Sequence, residues 1–377
     1  MDVVERSISD DVLFVLKTPP PFGGGEIAHQ YIYEELRGRY RFLIFSRKRH
    51  NKAAQGRIRI ANIFHGLNMM LKIGAACLRH RPKVVFLWLP KDLPAFIRTM
   101  VVVRALKAMH IKVIGDLHGM GFSFLGRERL KPYFKKQINN FFAVRTLSLS
   151  ISNSLRSCGF NNIVVPIDNG VRAPEFILGS MPKLSSTLRL LYLGAISDAK
   201  GFIRTLYLLL ALRRKKITFH LEVVGEWTNA EFRQQAMEMI AQNELTPFID
   251  FAGILSGETK WRAIQNSHFL LHFSEWDGQP LTIIEAMAAG VPTLAHRVGG
   301  IPEMIADGEN GFFVENSHQA AKILARVVSG EIDYDAVSRA AKETFLRRFT
   351  IQKYIKNIEK LVLMDDYAAS DTISKNR

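Results

Sequence analysis

The chain has 377 residues and a formal net charge of +16 at pH 7, from 51 Lys and Arg against 35 Asp and Glu. This length suits two domains with full-sized cores, and the two cysteines, Cys77 and Cys158, exclude a disulfide framework and favour a reducing cytosol. The first residues lack the apolar core of a signal peptide, and no window approaches the ~18 consecutive apolar residues that cross a bilayer, so an integral membrane protein is not expected.

The first half of the chain alternates short apolar runs with helical stretches, which is typical of a doubly wound parallel sheet. After the first run comes Pro19–Glu26, a proline- and glycine-rich turn that leads into a helix from about Ile27 to Leu36. Glycines in such a turn let the backbone approach a ligand closely. The strands predicted in this half are Val12–Leu16, Arg41–Phe45, Val84–Trp88, Lys112–Gly115, Thr146–Ser150 and Ile163–Val165.

Positive charge is concentrated in the same half. Residues 1–175 hold 28 Lys and Arg against 12 Asp and Glu, whereas residues 176–377 hold 23 of each class. Basic and large apolar residues alternate in Met69–Ile73, Pro94–Lys107 and Arg127–Phe142. Any one stretch alone is better explained as a core helix with a solvated lysine face, but the asymmetry favours an anionic membrane surface as partner. Nucleic acid is not expected, because zinc-finger spacing and an RNP-type motif are both missing.

The second half continues the alternation after Met181–Thr187, a predicted linker. Apolar residues recur at helical spacing over Phe349–Met364, which predicts a last helix, and the residues after Asp366 are predicted to be disordered. The strands predicted in this half are Leu188–Leu193, His220–Val224, Ile249–Gly253, His268–Phe273 and Thr293–His296.

The segment SEWDGQPLTIIEAMAAGVPTLAHRVGG, residues 274–300, carries the strongest functional pattern. Two acids, Glu275 and Asp277, follow an apolar strand, and Pro280 favours the first turn of a helix that Gly290 ends. Ligands of open parallel sheets sit at the carboxyl ends of the strands, and exposed amides at a helix N-terminus suit a diphosphate. Glu285, about two turns along this helix, is placed to reach hydroxyls such as a ribose pair.

Counting from Asp277, the segment reads acid, seven residues, Glu285, Ala-Met-Ala-Ala-Gly290, and then a Gly-Gly-x-x-Glu turn that ends at Glu303. This pattern resembles the donor-site signature of retaining glycosyltransferases of family 4, which have the GT-B fold. The spacing selects Asp277 as the first acid, where the family more often has glutamate, and Glu275 remains a competitor. Several features agree over about thirty residues, and agreement in context is what makes a short motif specific.

The resemblance implies a donor site in the second half. It assigns Glu285 to the nucleotide and Asp277 to the transferred sugar, and it places the nucleotide base near Gly253 and Ile254. Trp227 either closes this pocket or packs in the core. The residues expected at the start of the signature helix, toward the donor diphosphate, are Gly278, Gln279, Pro280, Leu281 and Thr282.

The resemblance also implies roles for residues in the first half. Gly24 and Gly25 belong to the loop that lies over the donor diphosphate and the acceptor. His118, at the end of a predicted strand, is expected near the transferred sugar, although a lone histidine is more often structural.

Lys200 matches the family's phosphate-binding lysine, but the usual arginine is replaced by Ala195. The charge that develops on a departing diphosphate must be stabilised. Either another cation, such as Arg204 or Arg297, takes the arginine's place, or the site is slower or altered.

The resemblance implies an α/β protein with the GT-B fold: two Rossmann-like, doubly wound parallel-sheet domains that face a central cleft. Residues 1–175 are predicted to bind the acceptor and residues 176–348 the nucleotide sugar. Residues 349–365 are predicted as a helix that crosses back to the first domain, and residues 366–377 as a disordered tail.

These observations predict a metal-independent, retaining hexosyltransferase at the inner face of the cytoplasmic membrane. Its donor would be a UDP- or GDP-sugar, and its acceptor a lipid-linked, lipopolysaccharide or exopolysaccharide chain. No cofactor and no metal are expected, since Asp333-Tyr-Asp335 has the spelling of a metal loop but precedes a helix and is predicted as its N-cap. The alternatives are a nucleotide-sugar epimerase or phosphorylase-like enzyme of the same fold, and a non-catalytic module that binds an anionic surface.

Overall fold

The computed structural model describes residues 8–20, 23–46, 60–119, 122, 125–126 and 128–363. Arg127 and the predicted tail, residues 366–377, lie outside the described residues. The chain forms two compact units, Met1–Asn169 with Ile351–Arg377, and Gly170–Thr350. The predicted divisions lay after residues 175 and 348, whereas the contacts divide the chain after Asn169 and after Thr350.

The first unit contains a six-stranded parallel sheet with the strand order β2-β1-β3-β4-β5-β6. Its central strands are almost wholly buried, because helices pack on the sheet and only apolar strands tolerate that position. The strands are β1 (Ser9–Lys17), β2 (Tyr40–Phe45), β3 (Val84–Trp88), β4 (Lys112–Asp116), β5 (Ala143–Thr146) and β6 (Ile163–Pro166). The helices are α1 (Gly24–Leu36), α2 (Ile60–His80), α3 (Leu93–Ala108), α4 (Lys131–Ile138) and α5 (Leu149–Ser157).

Two sequence predictions in this unit need correction. The strand predicted at Thr146–Ser150 is wrong, because β5 ends at Thr146 and the Ser148 side chain accepts a hydrogen bond from the Ile151 amide, which begins α5. The first helix begins at Gly24 rather than near Ile27, so Gly24 and Gly25 lie in its first turn and not in the preceding loop.

The second unit contains another six-stranded parallel sheet, with the order β12-β11-β10-β7-β8-β9. Its strands are β7 (Leu188–Leu193), β8 (Phe219–Val224), β9 (Ile249–Gly253), β10 (Phe269–His272), β11 (Thr293–Ala295) and β12 (Gly311–Phe313). Its helices are α6 (Glu175–Leu178), α7 (Phe202–Arg214), α8 (Ala230–Gln242), α9 (Gly257–Gln265), α10 (Leu281–Ala288), α11 (Ser317–Val328) and α12 (Tyr334–Thr344). Asp333 caps α12 by accepting a hydrogen bond from the Ala336 amide, as predicted.

The last helix, α13 (Ile351–Leu363), follows the second unit in sequence but packs in the core of the first. Its buried side chains include Tyr354, Ile355 and Ile358, which join the cluster around Phe14. The helical spacing of these apolar residues predicted this element. Among the helices that the structure describes, none has the length and hydropathy needed to cross a membrane.

Candidate functional site

The loops after β7 and β10 meet at one edge of the second sheet, because these two parallel strands are neighbours and their carboxyl ends coincide. The first loop carries Lys200 and the second carries Asp277. Lys200 Nζ lies 2.7 Å from Asp277 Oδ1 and 2.9 Å from Oδ2. His272, the last residue of β10, lies with Nε2 2.9 Å from Asp277 Oδ2. Asp277 therefore accepts hydrogen bonds from two side chains.

This arrangement keeps Asp277 ionised. Burial alone would raise the pKa of its carboxyl, but the His272 hydrogen bond and the Lys200 charge hold that pKa well below its usual range. An ionised carboxylate is only an acceptor of hydrogen bonds. Asp277 is thus suited to accept hydrogen bonds from sugar hydroxyls and unsuited to donate a proton.

Two glycines explain how closely these loops pack. Gly201 has a φ of +82°, and a Cβ built there would lie 2.3 Å from the Phe273 carbonyl oxygen. Gly299 has a φ of +58°, and its Cβ would lie 1.6 Å from the Asp277 carbonyl oxygen. No side chain fits at these distances, so Gly201 and Gly299 hold the Lys200 and Asp277 loops in place by allowing backbone contact.

The competing acid, Glu275, faces a different partner. Its carboxylate pairs with Arg204, and its amide donates to the Ala199 carbonyl at 3.0 Å. The geometry thus separates the two acids, since Asp277 pairs with Lys200 and Glu275 with Arg204. Arg297, the other arginine considered as a second cation, lies over the Phe313 ring and 3.8 Å from Asp307. Of the two arginines, Arg204 is the one that donates hydrogen bonds to both loops, to the Asp198 carbonyl and to the Phe273 carbonyl.

Glu285 is a buried carboxylate on α10 and its partner is Lys260 of α9. Lys260 Nζ lies 2.7 Å from Glu285 Oε1. The Glu285 side chain is only 4% exposed, so a cation beside it offsets part of the cost of burying its charge. The sequence pattern identified Glu285 but held no signal for Lys260 or for His272.

The first turn of α10 carries polar groups that the protein itself leaves open. Pro280 is the N-cap rather than the first helical residue, and its own side chain makes no capping hydrogen bond. Within the described part of the chain, Thr282 Oγ1 is buried and has no hydrogen-bond partner. A helix N-terminus with an unused hydroxyl is suited to bind an anion, so the predicted phosphate-facing residues Gly278 to Thr282 occupy a fitting position.

The predicted base-binding residues lie at the end of β9. Gly253 has a φ of +70° and its carbonyl accepts a hydrogen bond from the Gly225 amide at 2.7 Å. Ile254 follows with its side chain 64% exposed, so it offers an apolar surface to a ring. Trp227 is partly buried and packs against Phe202, Phe232 and Phe251, with ring centroids 5.4–6.0 Å apart, at the margin of the core.

In the first unit, His118 belongs to a buried network at the end of β4. Asp116 Oδ2 lies 2.8 Å from His118 Nε2 and 2.9 Å from His29 Nε2. Arg145, in β5, donates from Nη1 to Asp116 Oδ1 at 3.0 Å and from Nη2 to Asn169 at 2.9 Å. The carboxylate can only accept, so His118 carries its proton on Nε2 and presents Nδ1 as an acceptor.

Burial lowers the pKa of His118 to about 4, even though Asp116 acts in the opposite direction. The imidazole is therefore neutral near pH 7. His118 is only 7% exposed and its ring stacks on Trp88 with centroids 5.0 Å apart. Gly25 contacts both rings, since a Cβ there would lie 2.4 Å from the Trp88 ring and 3.2 Å from His118. The need for glycine at position 25 is thus explained by packing against these rings.

Among the described residues, one group has the composition of a metal site: His29, Asp116 and His118, whose ligand atoms lie within 4.8 Å of one another. However, all of these ligand atoms except His118 Nδ1 already have hydrogen-bond partners. Both histidines direct Nε2 at Asp116, the Lys17 amide donates to His29 Nδ1 at 3.1 Å, and the Arg145 guanidinium adjoins the carboxylate. We interpret the group as a hydrogen-bonded ion-pair network that fixes the orientation of His118.

Residues 181–344 match the family of glycosyl transferases group 1, and this range includes Lys200, Asp277 and Glu285. The amylovoran biosynthesis glycosyltransferase AmsK of Erwinia amylovora is 26% identical over 252 residues. The aligned segment is 63% of this chain and 60% of that protein, so it spans less than two thirds of the relative's length. Together these matches show that residues 181–344 are similar to glycosyl transferases group 1, and that the chain resembles a glycosyltransferase over part of that protein's length.

Two solved structures show the fold. The protein Alr3699/HepE of Anabaena, in complex with UDP, aligns with a TM-score of 0.73 and 16% identity over 94% of this chain and 100% of that one. The lipopolysaccharide outer core galactosyltransferase WaaB, in its apo form, aligns with a TM-score of 0.67 and 18% identity, over 94% of this chain and 99% of that one. With its two parallel sheets, the chain therefore has the two-domain, Rossmann-like GT-B fold, as predicted.

Proposed function

We propose that the chain is a metal-independent, retaining glycosyltransferase that moves a hexose or N-acetylhexosamine from a nucleotide sugar to a membrane-associated acceptor. One observation carries the proposal. The cluster of Lys200, Asp277 and His272 lies inside the segment that matches the glycosyltransferase family.

The donor is a nucleoside diphosphate sugar. Thr282 Oγ1 and the amides at the start of α10 donate to phosphate oxygens, and Lys200 supplies a positive charge. Glu285 binds the ribose hydroxyls. The complex of the Anabaena protein with UDP supports uridine as the base, and a uridine or guanosine diphosphate is the ligand to test first.

In the reaction, the acceptor oxygen forms a bond to the anomeric carbon as the bond from that carbon to the diphosphate oxygen breaks. For retention, attack occurs on the face of the leaving group, and the acceptor proton passes to the departing phosphate oxygen. Lys200 and the α10 amides stabilise the charge that develops on the phosphate. A single preorganised donor of this kind lowers the activation free energy by about 3 kcal/mol. Asp277 holds sugar hydroxyls while its own charge is balanced by Lys200.

The experiment is a thermal-shift panel with UDP, GDP and their sugars, in the presence of a chelator. We expect UDP or GDP to raise the melting temperature without metal, and Lys200→Met to remove most of that shift. Asp277→Asn should retain nucleotide binding but lose transfer, because it removes a contact to the sugar. Failure of every nucleoside diphosphate to stabilise the chain would falsify the proposal, and conversion of the donor without acceptor would favour an epimerase.

The acceptor is membrane-associated, and the first unit binds the inner face of the cytoplasmic membrane. Leu71 and Leu78 of α2 are 64% and 70% exposed, on one side of the helix, beside the exposed Lys72 and Arg79. Val101 of the neighbouring α3 is also exposed. Apolar side chains flanked by cations suit an anionic lipid surface.

Sedimentation with liposomes tests this membrane surface. We expect binding to vesicles that contain an anionic lipid, weaker binding as salt rises, and little binding to neutral vesicles. Replacing Leu71 and Leu78 with serine should weaken sedimentation, whereas replacing the exposed Met237 on α8 of the second unit should not. Equal sedimentation of the two variants would contradict the assignment of the surface to α2.

A further inference from the structure

The loops after β7 and β10 contact each other on both sides of Lys200. Before the lysine, the Ala199 carbonyl accepts a hydrogen bond from the Glu275 amide at 3.0 Å. After it, Gly201 lies so close to the Phe273 carbonyl that a Cβ would be 2.3 Å from the carbonyl oxygen. The position of the Lys200 ammonium therefore depends on how these two loops pack.

Arg204, in the first turn of α7, joins the same two loops through its side chain. Its Nη1 donates hydrogen bonds to the Asp198 carbonyl at 3.1 Å and to the Phe273 carbonyl at 3.3 Å. Its Nη2 pairs with the Glu275 carboxylate. A guanidinium is planar and carries several donors in fixed directions, so one arginine can bind three acceptors on two loops. The compact ammonium of a lysine has no such fork.

These contacts do not suit Arg204 to replace the arginine that is missing at Ala195. To reach a phosphate, its guanidinium would have to leave two backbone carbonyls and one carboxylate, and the two loops would lose a connection. Because Ala195 supplies no charge, binding of a diphosphate depends more heavily on Lys200 and on where Lys200 is held. The contacts of Arg204 suit it to that second task.

We propose that Arg204 is a positioning residue of the donor site, which places Lys200 for the diphosphate by binding the loops after β7 and β10 together. The inference rests on the proposed transferase function. Arg204 acts through Lys200 and does not itself touch the nucleotide. The chain thus compensates for Ala195 by fixing its remaining phosphate-binding cation and not by adding a second one.

The test measures dissociation constants for UDP and UMP, and for GDP and GMP, by isothermal titration. The ratio within each pair reports on Lys200, because the diphosphate offers this cation more negative charge than the monophosphate does. We expect Arg204→Met to weaken diphosphate binding by about threefold to tenfold, at most the loss of one contact to a charged group, and monophosphate binding by less than about twofold. Arg204→Lys keeps the charge but lacks the fork, so it should not restore diphosphate affinity.

A double-mutant cycle with Lys200→Met separates positioning from direct contact. If Arg204 acts through Lys200, Arg204→Met should weaken UDP or GDP binding no further once Lys200 has been replaced. Additive losses would show that Arg204 binds the phosphate itself and would overturn the proposal. Full restoration by Arg204→Lys would also overturn it, because charge alone would then be sufficient.

Arg213→Met is the matched control, since Arg213 lies on the same helix and also donates to backbone carbonyls, those of Asn243 and Glu244. Both variants should change the stability of the unliganded protein to a similar, small extent, but Arg213→Met should leave the ratio of the two constants unchanged. Equal changes of this ratio in both variants would overturn the positioning role, as would an unchanged ratio in Arg204→Met, and nucleotide binding by the natural protein would leave the transferase proposal standing. Failure of the natural protein to bind either diphosphate would overturn both proposals.

Discussion

Lys260 Nζ lies 2.7 Å from Glu285 Oε1, so the carboxylate assigned to the ribose is held by a lysine from the neighbouring helix. Lys260 is itself 22% exposed, whereas Glu285 is nearly inaccessible. A carboxylate in such a place has few orientations open to it. We infer that Lys260 orients Glu285 toward the ribose hydroxyls and so contributes to recognition of the donor.

Lys260→Met should therefore reduce the preference for ribose over deoxyribose. We expect UDP affinity to fall by about tenfold, since a charge-assisted contact is lost, and the affinity for 2′-deoxy-UDP to fall less. Isothermal titration of both nucleotides gives the comparison. The control is Arg262→Met on the same helix, where the exposed arginine pairs with Glu258. Equal losses for the two nucleotides would show that Lys260 serves only to maintain the fold.

Gly299→Ala tests the backbone contact that holds the Asp277 loop. A residue with a side chain loses about 1–2 kcal/mol of folding stability in the left-handed φ that Gly299 adopts. The clash of its Cβ with the Asp277 carbonyl removes about 1–3 kcal/mol more. Gly308 is the matched control, because its φ is +81° but a Cβ there meets nothing within 4 Å. Urea denaturation should show a larger loss for Gly299→Ala than for Gly308→Ala. Similar losses would mean that the loop shifts to accept a methyl group.

Much of this fold follows from local patterns in the sequence. Short apolar runs identify ten of the twelve strands, all except β5, which was misplaced, and β12, which was not predicted. The carboxyl ends of β4 and β10 lead directly to His118 and Asp277. The helix of the signature ends where expected, since Gly290 takes a φ of +71°. These features are predictable because each depends on residues adjacent in sequence.

Partners that are distant in sequence could not be predicted in the same way. Lys260 is 25 residues from Glu285, and Arg145 is 29 residues from Asp116. Arg145 is fully buried within β5, and a charge there makes the strand harder to recognise from hydrophobicity. Polar and apolar residues alternate in Thr146–Ser150 as they do in a strand, but the Ser148 side chain caps the N-terminus of a helix. Only the packed structure shows which pattern prevails.

The neutral state of His118 predicts a dependence of stability on pH. Its pKa is about 4 in the folded protein and about 6.5 in the unfolded chain, so below pH 6.5 only the unfolded chain takes up the proton. This contribution is fully present above pH 6.5 and is lost as pH falls toward 4. Between about pH 7.5 and about pH 5, the free energy of unfolding should fall by about 2 kcal/mol more in the natural protein than in His118→Gln. The same pH dependence in both proteins would contradict a neutral, buried His118.

Thr282 and Thr293 form a matched pair, because in the described residues both hydroxyls are buried and neither has a hydrogen-bond partner. Thr282 lies in the first turn of α10, whereas Thr293 begins β11. Replacing either with valine removes an unsatisfied polar group and keeps the shape, so neither change should lower the stability of the unliganded protein.

The two variants should differ only when the nucleotide is present. If Thr282 donates to a phosphate oxygen, Thr282→Val should weaken UDP binding by about tenfold, which corresponds to one hydrogen bond to a charged group. Thr293→Val should bind UDP as the natural protein does. Titration of UDP against both variants and a melting curve without ligand measure these effects. Loss of stability in Thr282→Val would assign the hydroxyl a structural role, and unchanged UDP affinity would exclude it from the phosphate site.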